Sequence, residues 1–184
     1  MSDPAGVKDT SMEIETKQKS RARKFRRYAI EILVFVILVA GMRAWQQRDM
    51  ISGAAPALQG VTLAGLPYNL PARPGKPVLV HFWATWCPIC RAEQGSIAAI
   101  AHDHGDVITV AMQSGSAEQV ARHMREQGTA FPVVNDPDGR LSAAWGVHAV
   151  PASFIIAPGG RIRFVEVGYT SGFGLRLRLW LAGL

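Results

Sequence analysis

His81-Phe82-Trp83-Ala84-Thr85-Trp86-Cys87-Pro88-Ile89-Cys90-Arg91-Ala92-Glu93 is the stretch whose reading decides the fold. Its first half continues Val78–Trp83, an apolar run with β-branched and aromatic residues that reads as a buried strand. Its second half opens a helix from Cys87 to about Ala101, with Ile97 and Ile100 on one face. Pro88 suits the first turn of that helix, where a missing N–H loses no hydrogen bond. A strand therefore runs into a short loop, and the first cysteine stands at a helix start.

That placement has a chemical reason. The nucleophile of disulfide exchange is the thiolate. A helix N-terminus offers free N–H groups and a partial positive charge, which favour Cys87 as thiolate. Cys90 is one turn on, within reach of the first sulfur, and can resolve a mixed disulfide. Cys87 and Cys90 are the chain's two cysteines. A bond between them closes almost no loop, so stapling the fold is a poor account of it. A four-ligand zinc site needs a second pair at comparable spacing. His81, His102, His104, His123 and His148 supply none. His102 and His104 point apart on a helix and read as solvent-facing. No metal site and no cofactor is expected.

Downstream the elements alternate. Val107–Met112 reads as a strand, and Ala117–Gln127 as a helix capped by Ser116 and stopped by Gly128. Phe131–Val134 is short and extended, Asn135 to Gly139 a turn, and Leu141–Trp145 one or two helical turns. Ser153–Ala157 and Ile162–Val167 form a hairpin across Pro158-Gly159-Gly160, and Gly172 to Leu184 is a terminal helix. The expected class is α/β, a central mixed β-sheet flanked by helices.

The 184 residues carry a formal net charge of +6. Lys17, Lys19, Arg21, Arg23, Lys24, Arg26 and Arg27 account for it; the rest is close to neutral. A basic domain surface for nucleic acid has little support. The apolar run from Ile32 to Met42 follows that cluster, and from Tyr28 to Trp45 it approaches the about 20 residues of a spanning helix. The basic flank places the N-terminus in the cytoplasm. The organisation is then a basic cytoplasmic tail (1–27), a transmembrane anchor (28–47), a linker and domain entry (48–76) and the folded domain (77–184). A cleaved signal peptide is the competing reading of the same run. With the uncleaved anchor, the chain is a single-pass protein of the bacterial inner membrane whose C-terminal domain is periplasmic, where disulfides persist.

The segment Phe82 to Arg91 resembles the active-site signature of the thioredoxin superfamily, in its membrane-anchored TlpA-like branch, and is similar to the ScsD-like (suppressor of copper sensitivity D) disulfide oxidoreductases. The resemblance covers roughly residues 57–184. It implies a thioredoxin fold with a four- or five-stranded sheet, and a cis-proline loop facing the cysteines. Val150-Pro151 matches that loop, with Val150 offering its backbone to a substrate chain. A plain strand-entry proline is the alternative for Pro151. The resemblance also implies protein thiol or disulfide substrates, a membrane electron carrier of the DsbD type, and a role as reductant or in copper and oxidative-stress tolerance.

Three features depart from it or leave a choice. His81 stands where thioredoxins carry a buried Asp; it either accepts the proton of Cys90 or is a core histidine bonded to backbone. Glu93 matches an acidic residue of TlpA-like proteins, or is a solvated carboxylate complementing the helix dipole. Gly95 replaces a usual proline. Trp86 is expected to shield the disulfide, with Trp83 and Met112 in the core. Two other functions compete with the enzyme: a Cu(I)-binding thiol module helped by Met112 and nearby histidines, and a docking platform, against which the intact cysteine pair argues.

Overall fold

A computed structural model describes residues 27–28, 30–38, 41–42 and 51–184. Residues 1–26 of the expected tail, and 29, 39, 40 and 43–47 of the expected anchor, lie outside the described residues. Those described between 27 and 42 are helical and exposed. Among the described residues no helix is long and apolar enough to cross a membrane.

The described residues from 51 to 184 belong to one compact unit. Its elements are β1 (Gln59–Val61), β2 (Pro67–Asn69), β3 (Val78–Trp83), α1 (Pro88–His104), β4 (Val107–Met112), α2 (Ala117–Glu126), β5 (Val133–Asp136), α3 (Arg140–Ala144), β6 (Ala152–Ile156), β7 (Ile162–Val167) and α4 (Gly172–Ala182). Five strands make a mixed sheet in the order β5-β4-β3-β6-β7. The first three are parallel, joined through α1 and α2; β6 and β7 add antiparallel. This is the thioredoxin fold. β3 is central and buried throughout. Its side chains alternate between faces. Val78, Val80 and Phe82 meet Trp145, Phe154 and Leu58 on one face. Leu79 meets Ile97, Ile100 and Leu175 on the other, where Trp83 meets Cys90, Val120 and Met124.

Helix ends follow local chemistry. Ser116 caps α2 in a reciprocal capping box with Gln119. α1 runs past Ala101 to His104 and stops at Gly105, whose φ of 67° suits a residue without Cβ. One expectation needs correction. Asn135 and Asp136, read as turn residues, belong to β5, because Ala111 and Met112 of β4 pair with them. The stretch read as linker and domain entry holds the hairpin β1–β2, which sets Leu58 and Leu70 into the core.

Candidate active site

Three segments converge on the end of β3. Cys87 is the N-cap of α1, and its sulfur accepts from the Cys90 N–H at 3.1 Å. A helix start directs otherwise unpaired N–H groups at one point, and here that point is Sγ. Cys87 and Cys90 are joined as a disulfide, with 5.3 Å between their Cα atoms. Cys90 is fully buried and Cys87 is 4% exposed, which makes Cys87 the outer member of the pair.

The loop before the pair is pinned to the end of β4. Ser114 Oγ accepts from the Thr85 N–H at 3.0 Å and donates to the Met112 carbonyl at 2.9 Å. The Trp86 indole N–H donates to the Gln113 carbonyl at 3.1 Å, while its ring stays 58% exposed beside the exposed Pro88 and Ile89. Gln113 itself has a φ of 45°, which turns the chain sharply after β4. Trp83 is core, as expected, its N–H donated to Thr109 Oγ1 at 3.1 Å.

The third segment precedes β6. Val150-Pro151 is a cis peptide, and the Val150 carbonyl oxygen lies 3.7 Å from Cys87 Sγ. The residues singled out as a substrate loop thus stand against the outer sulfur. Val150 keeps its carbonyl beside the mouth, and its side chain packs on both neighbouring core clusters.

His81 and Glu93 are both buried polar groups. His81 is buried in register with Ser153, and its Nδ1 is hydrogen bonded to Ser153 Oγ at 2.9 Å. The expected backbone partner is therefore a hydroxyl. Burial holds the imidazole pKa down at about 4, so the ring is neutral at pH 7. Thr109, His81, Ser153 and Glu166 form one polar row across four strands. Glu93 is buried on the sheet side of α1, between Cys90 and Ile97. The solvated reading of Glu93 is thereby corrected: the loop before α4 covers it, and the Thr170 N–H donates to its carboxylate. Burial raises its pKa to about 7, against the opposing pull of that N–H.

Sequence reading missed Ser114, Gln113, Ser153 and Thr170. Ser153 was findable, as a polar residue in an apolar strand. The others act through backbone groups or loops, which leave no pattern. Met112 packs against the Phe82 side of the core, away from the cysteine cluster, so it does not assist a Cu(I) site there. His102 and His104 are exposed, as expected.

The arrangement can do one thing well. An outer sulfur at a helix start, a buried second sulfur one turn on, and the Val150 carbonyl beside the first suit thiol–disulfide exchange. Comparison with known proteins agrees. The AhpC/TSA family profile matches residues 51–165. A thioredoxin-like protein of Haemophilus influenzae is 26% identical over 163 residues, 88% of this chain and 97% of its own length. The thiol:disulfide interchange protein HelX of Rhodobacter capsulatus is 31% identical over 133 residues, 67% of this chain and 75% of its own. The crystal structure of a thioredoxin-family thiol:disulfide interchange protein from Chlorobium tepidum superposes with a TM-score of 0.62 at 27% identity, covering 72% of this chain and 97% of that one.

Proposed function

Starting from the chain's membership of the AhpC/TSA family, and from its being a thioredoxin-like protein-disulfide oxidoreductase, we propose that it exchanges disulfides with partner proteins outside the cytoplasm. The observation that carries this reading is the contact of Cys87 Sγ with the Val150 carbonyl at the start of α1. In the reducing direction the Cys87 thiolate attacks a partner disulfide. The partner S–S bond breaks, one partner sulfur leaves as thiolate and takes a proton, and a mixed disulfide forms. The partner strand lies along Val150-Pro151. Cys90 then gives up its proton and attacks Cys87, releasing the second partner thiol. Two electrons pass to the partner, and the Cys87–Cys90 disulfide remains. Trp86, Pro88, His81 and Glu93 support the pair.

An electron donor must reduce that disulfide for the next turn, and we assign this to a membrane carrier of the DsbD type. The basic cluster and apolar run support a tail at 1–27, an anchor at 28–47 in the inner membrane and a periplasmic domain. The likeness to TlpA-like and ScsD-like proteins supports service as a reductant or in copper and oxidative-stress tolerance.

Insulin reduction with a dithiol donor tests the cycle. Cys87→Ser should abolish it, and Cys90→Ala should accumulate mixed disulfides on non-reducing gels. Full activity in Cys87→Ser would sink the assignment. A reductant should have a potential near about −270 mV; a value near about −120 mV would mark an oxidant instead. For location, a membrane-impermeant thiol reagent should label the reduced pair in intact cells; labelling only after lysis would refute a periplasmic domain.

A further inference from the structure

Helix α4 is apolar on two sides. Leu175, Leu179 and Ala182 face the core. Phe173, Leu177, Trp180 and Leu181, with Leu184 just past the C-cap, repeat at helical spacing on the opposite side and are exposed. Phe173 is 76% exposed and Leu184 85%. A contiguous apolar stripe of this kind marks a surface that something covers.

Its surroundings select the occupant. Leu181 and Leu184 line a hollow together with Arg161, Arg163 and Phe164. On the other flank Trp180 and Leu184 line a second hollow with Arg176 and His104. Arg176 and Arg178 are engaged by Asp103 and Glu166. Arg161 and Arg163 are exposed and form no ion pair among the described residues. Leucines, a tryptophan and arginines on one face are what an anionic lipid interface takes up: rings and aliphatic chains enter the headgroup boundary while guanidinium groups meet phosphates. A second copy fits less well, because a two-fold contact would set arginines against arginines. The position fits as well. Pro77, just before β3, borders the Trp180 hollow with His104, the last residue of the 17-residue α1 that Cys87 caps at its other end. That helix is about 25 Å long, so a surface seated there leaves the disulfide open to partners.

We infer that the outer face of α4, with Arg161 and Arg163, docks the folded domain on an anionic lipid surface. The anchor reading is a separate matter, since a tether brings the domain near a bilayer without orienting it.

The test uses the full chain in vesicles of phosphatidylcholine, with or without phosphatidylglycerol, carrying brominated acyl chains. The expected result is a quenched tryptophan component in anionic vesicles that is lost in Trp180→Phe and lost again in the Leu181→Glu/Leu184→Glu double variant. High salt and pure phosphatidylcholine should weaken it. Insulin reduction should be unchanged in both variants. The same quenching in wild type and Trp180→Phe would overturn the inference. So would self-association without vesicles that hides Trp180 from aqueous iodide. Alkaline extraction reads the 28–47 anchor independently: a chain released at high pH but quenched at Trp180 at neutral pH keeps the docking face and loses the anchor.

Discussion

Cys87 Sγ and the Val150 carbonyl oxygen, 63 residues apart in the chain, stand 3.7 Å apart across the mouth of the site. The strand β3 delivers one and the entry to β6 delivers the other, and these two strands are antiparallel neighbours in the sheet. On the proposed function, a partner chain lying along Val150-Pro151 meets sulfur and carbonyl together.

In the reduced protein the two thiols should differ sharply. Cys87 faces the helix start and the Cys90 N–H, whereas Cys90 is fully enclosed. Iodoacetamide at pH 7 is expected to alkylate Cys87 at least ~10-fold faster than Cys90. Peptide mapping after a timed quench checks this; equal rates would contradict the assigned roles.

His81 should make the fold acid-sensitive. Its folded pKa is about 4, below the ordinary 6.5, so the unfolded chain binds the extra proton. Its contribution is complete above about pH 6.5 and is lost as pH falls toward 4, on the order of 3 kcal/mol in all. His81→Gln, which retains hydrogen bonding toward Ser153, is expected to flatten the urea midpoint over that window. An unchanged slope would refute a neutral buried imidazole.

Glu93 should act in the opposite sense. Its folded pKa of about 7 exceeds the ordinary 4.5, so the folded protein holds the extra proton. That stabilisation is present below about pH 4.5 and disappears as pH rises toward 7. Glu93→Gln can still accept from the Thr170 N–H, and should remove this decline and stabilise the domain at pH 7.5. Chemical denaturation across pH 4 to 8 measures both variants.

Asp136 ties the end of β5 to α3. Its carboxylate accepts from the Leu141 N–H at 3.1 Å, the Ser142 N–H at 2.9 Å and the Ser142 hydroxyl at 2.7 Å, and it is buried. Asp136→Ala leaves these donors unmatched and is expected to cost about 3 kcal/mol or more. Asp136→Asn should recover part of the loss. A loss below about 1 kcal/mol would mean that water replaces the carboxylate.

Much of the frame is legible in the order of the residues. Val78–Trp83, Val107–Met112 and Ile162–Val167 match their strands to the residue, because long apolar runs between turn residues admit few other readings. The Ser116 cap is legible too. The β1–β2 hairpin is not: three-residue strands carry too little alternation, and Leu58 and Leu70 become core residues only when the sheet is there to receive them. Asn135 and Asp136 look like a turn in isolation and are strand because β4 supplies their partners.

The site divides in the same way. The Cys87-Pro88-Ile89-Cys90 spacing after a strand determined where the thiols sit, since helix geometry alone puts the first at the cap and the second one turn inside. The sequence also placed Val150-Pro151 as a candidate. What faces those thiols was decided by the tertiary structure. Antiparallel pairing of β3 and β6 brings Val150 to Cys87 and Ser153 to His81, and the loop before α4 seals Glu93. Burial and cross-strand partners are properties of packing between distant segments, and a linear pattern records only its own neighbours.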